Sequence, residues 1–138
     1  MKSLKKIAFV VLASSTLAFG HGDVAPQAVE TKGLAKIADD VIVNPFRGNE
    51  IAIEIGKGAY NTNCARCHGL GAVSGGVAPD LRALDAGDDD IDEYFITKVK
   101  EGAVRNGNVY MPPFGEVLSA EAIWAIRSWV ETLPTDDL

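Results

Sequence analysis

Histidine, methionine and cysteine are scarce in this chain of 138 residues, with two of each. Cys64 and Cys67 stand three positions apart and close too short a loop to staple a fold, which excludes a disulfide framework. Long apolar runs are also missing. The charge-free stretch from Ile7 to Phe19 has 13 residues, short of the ~20 that span a bilayer as a helix. Lys2, Lys5 and Lys6 precede it and Ala18-Phe19-Gly20 ends it, so residues 1–20 read as a signal peptide cleaved near Gly20. Export follows, with no stable membrane insertion after cleavage. Basic residues are few: beyond residue 20 the chain has 10 against 19 acidic ones, a formal charge of −9. Phosphate repulsion then excludes nucleic acid as a partner.

Alternating strand-like runs are nearly absent and helical periodicity dominates, so the fold class is all-α, with three main helices and long loops. Residues 21–43 read as an N-terminal extension lying across the surface, 44–133 as the domain, and 134–138 as a C-terminal tail. Asn49 caps a first helix running to about Asn63, with Ala52, Gly56, Ala59 and Tyr60 on one face. A glycine in mid-helix predicts that another helix crosses at Gly56, with Tyr60 packed beside the crossing. A second helix spans about Ile91 to Glu101, behind Asp88, Asp89 and Asp90, which suit its dipole, and stops at Gly102. The third follows Ser119, carries Ile123, Ile126, Val130 and Leu133 as a stripe, and ends before Pro134. The irregular segments 69–90 and 103–118 are long for so small a domain and need something to wrap around.

What they wrap is indicated by Cys64-Ala65-Arg66-Cys67-His68. Two thiols at this spacing can add to both vinyl groups of one porphyrin, and the next residue turns its imidazole toward the iron. A thioredoxin-like dithiol wants a βαβ setting, and a zinc site wants a second pair of ligands; neither is here. His68 is the proximal ligand in this reading. Apart from the initiator, Met111 is the only methionine, held by Pro112 and Pro113 in the second loop, and it is the candidate sixth ligand rather than core filler. With both axial positions filled, iron has no open site for a substrate and exchanges single electrons, at a potential raised by the thioether. The Pro79 carbonyl could accept the His68 Nδ1 proton, orienting the ring, or Pro79 could be a plain turn residue; Leu81 would pack on the porphyrin.

Other features carry less. Residues 85–93 hold six acids, a solvated face that could steer a basic partner; calcium is disfavoured by the lack of EF-hand spacing. Arg82 and Arg105 are either surface arginines or partners of haem propionates. Trp124 and Trp129 read as core. His21, if it became the N-terminus, could bind copper through its amine and imidazole.

The arrangement Gly56, Tyr60, Cys64, Cys67, His68, Pro79, Met111, Ile126 and Trp129 resembles the class I c-type cytochromes over residues 49–132. That resemblance implies a class I cytochrome c fold with one covalent haem c, and a crossing of Gly56 and Tyr60 against Ile126 and Trp129. His21 to Leu34, the run Asn44-Pro45-Phe46-Arg47-Gly48-Asn49-Glu50, and the segment from Gly102 to Phe114 are similar to the periplasmic cytochromes that accept electrons from pyrroloquinoline-quinone (PQQ) dependent alcohol dehydrogenases. This narrower resemblance implies a monomeric electron carrier, not an enzyme, with such a dehydrogenase as donor and a terminal oxidase or another cytochrome as acceptor. The alternatives are a haem enzyme or gas sensor in which Met111 is displaced, and a permanent haem subunit of a dehydrogenase.

Overall fold

A computed structural model describes residues 25–136 and Leu138; the expected signal peptide, its cleavage site and His21 lie outside the described residues. Four helices appear: α1 (Glu50–Asn63), the single turn α2 (Ala65–His68), α3 (Asp89–Glu101) and α4 (Ala120–Val130). Each long helix begins on a side-chain cap. Asn49 accepts from the Ala52 N–H, Asp88 from those of Asp90 and Ile91, and Ser119 from that of Ala122, satisfying amides that the first turn leaves open. The three main helices are those expected, although α3 starts two residues early, at Asp89, and α4 ends at Val130, before Leu133.

The segment 103–118 is not wholly irregular. Ala103–Arg105 (β1) and Asn108–Met111 (β2) pair antiparallel, Val104 opposite Val109, around Asn106 and Gly107 at φ +51° and +77°. Positive φ at both turn residues is the geometry of the tightest hairpins, and Asn-Gly is its strongest sequence signal. The all-α class therefore holds with the addition of one small hairpin.

The core is the crossing of α1 over α4. A Cβ at Gly56 would run into the Ala125 carbonyl and lie 3.0 Å from the Ile126 nitrogen, so backbone meets backbone there. One turn on, the Tyr60 and Trp129 rings pack with centroids 4.7 Å apart. All eleven residues of α4 are buried, including Glu121, Arg127 and Ser128.

The N-terminal extension contributes to that burial together with α1 and the segment leading into α3. Val29, Leu34, Ile37 and Val41 pack against the core cluster, and Glu121 accepts from the Ile37 N–H at 3.2 Å. Asn44 donates from its backbone to Asp92 (2.8 Å) and from its amide to Ser128 and Glu131 (3.1 Å each). Asp92, fully buried, also accepts from Arg127 Nε at 2.9 Å and Arg47 Nη2 at 2.6 Å. The acidic stretch is thus a solvated face at most of its positions, but Asp92 is a core anion held between two guanidiniums. Among the side-chain polar atoms of the described residues only the Trp124 indole N–H is buried without a partner.

Candidate haem site

α1 flows into α2 through Cys64, whose N–H donates to the Tyr60 carbonyl while its own carbonyl accepts from the His68 N–H at 2.9 Å. Positions i, i+3 and i+4 of a helix share a face, so this one turn presents Cys64, Cys67 and His68 together. Neither thiol is in a disulfide. Burial pushes the Cys64 thiol up to about 12, with the neighbouring Cys67 adding to it, so it stays protonated at neutral pH. The attacking thiol of a redox dithiol shows the opposite shift.

The segment after α2 is turned back by two anchors. Tyr60 Oη donates to the Gly69 carbonyl at 2.8 Å, and its own proton is held well above the usual phenol range, chiefly by burial. His68 Nδ1 lies 2.8 Å from the Pro79 carbonyl oxygen. A carbonyl only accepts, so Nδ1 carries the proton and Nε2 is left with its lone pair free for a metal. Pro79 is therefore more than a turn residue. Leu81, in a short 3-10 turn, is half-buried against the core.

Met111 ends β2 and is half-buried against the same core. Its backbone passes over Gly102, whose φ is +73° and where a Cβ would sit 2.9 Å from both Pro112 C and Pro113 N. Phe114 N–H then donates to the Val99 carbonyl at 2.9 Å and Gly115 N–H to that of Lys100 at 3.3 Å. These bonds occupy carbonyls that the end of α3 leaves open and tie the methionine segment to it. The sequence shows Gly102 only as a helix stop; its close approach to Met111-Pro112-Pro113 needs the tertiary structure.

The chemistry of this region fits a large apolar cofactor. Leu70 is 79% exposed, Val77 81%, and Val104, Val109 and Tyr110 about two-thirds, all on the two segments that follow α2 and α3. Uncovered apolar side chains on the segments that follow one attachment turn are what a large apolar cofactor would cover. Arg82 is turned inward, its guanidinium on Asp80, and Arg105 lies over the Tyr110 ring at 5.5 Å. No helix among the described residues is long and apolar enough to cross a membrane.

A family model described as cytochrome c oxidase, cbb3-type, subunit III, matches residues 52–130. Cytochrome c550 of Pseudomonas aeruginosa is 51% identical over 131 residues, covering 91% of this chain and 90% of that protein. Quinohemoprotein alcohol dehydrogenase ADH IIB of Pseudomonas putida is 29% identical over 86% of this chain but 16% of its own length, and the FixP oxidase subunit of Sinorhizobium medicae 28% over 87% and 44%. No solved structure matches significantly. With one Cys64-Ala65-Arg66-Cys67-His68 attachment turn and a relative of matching length, the chain belongs to the cytochrome c family, as a one-haem protein that carries electrons and is not an enzyme.

Proposed function

We propose that this chain is an exported periplasmic carrier in which His68 and Met111 hold the iron of one haem c, and that it takes electrons from a PQQ-dependent alcohol dehydrogenase and passes them to a terminal oxidase or another cytochrome. The observation that carries the ligand assignment is the 2.8 Å contact between His68 Nδ1 and the Pro79 carbonyl, which fixes both the tautomer and the ring plane. When bound, the haem supplies reversible one-electron exchange at iron. The chain's own residues do the rest. Cys64 and Cys67 would hold the group in place, and His68 would offer Nε2 from a ring oriented by the Pro79 carbonyl. Met111 brings a soft sulfur on a strand clamped by Gly102 and backed by Pro112 and Pro113. Leu81 and the uncovered apolar side chains would exclude water from the group.

The partner assignment is supported by the relatives, which include two quinohemoprotein alcohol dehydrogenases and cbb3-type oxidase subunits. Each contains a region like this chain within a longer protein. The leader at residues 1–20 supports export, and the formal charge of −9 beyond it supports brief, salt-sensitive docking on a basic face. The test is stopped-flow mixing of a reduced PQQ-dependent alcohol dehydrogenase with the oxidised protein. Haem reduction that slows steeply with ionic strength is expected, and no reduction would overturn the donor assignment. Met111→Ala should abolish the sulfur-to-iron charge-transfer band of the oxidised protein. Rapid cyanide binding by the wild type would instead indicate an open iron.

A further inference from the structure

The Pro79 carbonyl that meets His68 does not sit on a free loop. Asp80 Oδ1 accepts from the Arg82 N–H and from Arg82 Nε, both at 3.0 Å, and its Oδ2 accepts from Arg82 Nη2 at 2.8 Å and from the Ser74 N–H at 3.1 Å. Ser74 Oγ in turn donates to the Ala78 carbonyl and accepts from the Gly76 N–H at 3.0 Å. Arg82 is buried, and its Nη1 also reaches the Pro134 carbonyl at 3.4 Å. Pro79 is therefore held on both sides, by Ser74 at the Ala78 carbonyl before it and by Arg82 and Ser74 at the Asp80 carboxylate after it. Two-point pairing of guanidinium with carboxylate fixes a direction as well as a distance.

We propose that Ser74, Asp80 and Arg82 form a positioning clasp that holds the Pro79 carbonyl on His68 Nδ1 and thereby sets the reduction potential of the haem. This rests on His68 being an iron ligand. A strong Nδ1–H···O bond makes the imidazole a better donor, and a better donor favours ferric over ferrous iron. Loosening the clasp weakens the bond and raises the potential. None of the three is a proposed ligand of the iron, so each acts through Pro79 and His68.

Charge and geometry predict different signs, which makes the proposal testable on the haem-loaded protein. Removing the anion by Asp80→Ala raises the potential on either account. Removing the cation by Arg82→Gln lowers it if only charge matters, and raises it if the clasp matters. Ser74→Ala and Arg82→Lys alter no charge and should raise it as well. The expected shift is about three- to tenfold in the ferrous-to-ferric ratio at a fixed ambient potential, tenfold being about 59 mV. Exchange of the His68 Nδ1 proton with solvent, followed by NMR, should quicken in the same variants. Ser74→Ala is the mildest change and retains the ion pair, so it keeps the test open should the Asp80 or Arg82 variants fail to fold. A fall in potential for Arg82→Gln, or an unchanged potential and unchanged proton exchange in Ser74→Ala and Arg82→Lys, would overturn the clasp. If wild-type His68 shows no hyperfine-shifted ring protons in the oxidised protein, the ligand assignment fails instead.

Discussion

Replacing Gly56 by alanine tests the contact on which the whole fold turns. The new methyl group would be driven into the Ala125 carbonyl and crowd the Ile126 nitrogen. Both obstacles are main-chain atoms inside a helix, so neither can swing aside as a side chain would. Overpacking of this kind costs about 1–3 kcal/mol, and a rigid backbone places it at the upper end. Alanine returns up to about 1 kcal/mol through its better helix propensity, leaving a net loss of about 2 kcal/mol. For a domain of this size that is a fall in Tm of about 10 °C. Gly58 is the internal control, because it lies in the same helix and a Cβ there meets nothing within 4 Å. Gly58→Ala should raise stability by roughly 0.5–1 kcal/mol. Thermal unfolding of both haem-loaded variants, followed by far-ultraviolet circular dichroism, measures the difference. Equal melting temperatures for the two variants would refute the close crossing of α1 and α4.

Asp92→Ala should cost about 3–5 kcal/mol, since Arg127 is left buried with its main carboxylate partner gone; the urea midpoint falls while the slope stays constant. Asn49→Ala removes the cap of α1 and should cost about 1 kcal/mol in the same assay. The hydrogen bonds from Arg82 hold the Asp80 carboxyl well below the usual carboxylate range. A depressed folded-state pKa stabilises fully above the unfolded value of about 3.9, and that stabilisation is lost as pH falls toward the folded value. Between pH 5 and pH 2.5 the wild type should therefore lose more stability than Asp80→Asn; parallel loss in the two would refute the pairing.

The haem-attachment turn was legible because its chemistry is local. Cys64, Cys67 and His68 fall within five residues, and any helical turn places them on one face whatever the rest of the chain does. The caps at Asn49 and Ser119 and the glycine crossing at Gly56 were legible for the same reason, each being a short-range signal with one physical meaning. The hairpin was missed although Asn106-Gly107 advertised it, because four-residue runs of valine and tyrosine are too short to outweigh a loop-like composition.

Other features exist only in three dimensions. Glu121, Arg127 and Ser128 look like the wet side of an amphipathic α4, and nothing in the local pattern says otherwise. They are buried because segments far away in sequence satisfy their polar groups one by one: Ile37 meets Glu121, Asn44 meets Ser128, and Asp92 with the Leu84 and Asp85 carbonyls meets Arg127. Asp92 sits among exposed acids in the chain and is the only one of its run enclosed by two arginines. The pattern of residue types was thus enough to determine the cofactor and its attachment, since covalent and ligand chemistry depends on spacing along one turn. Which charges are buried was decided by contacts between residues 35 to 84 apart in the chain, which only folding brings together, whereas the Pro79 carbonyl is held by turns of two to eleven residues whose side-chain geometry the residue types alone do not show.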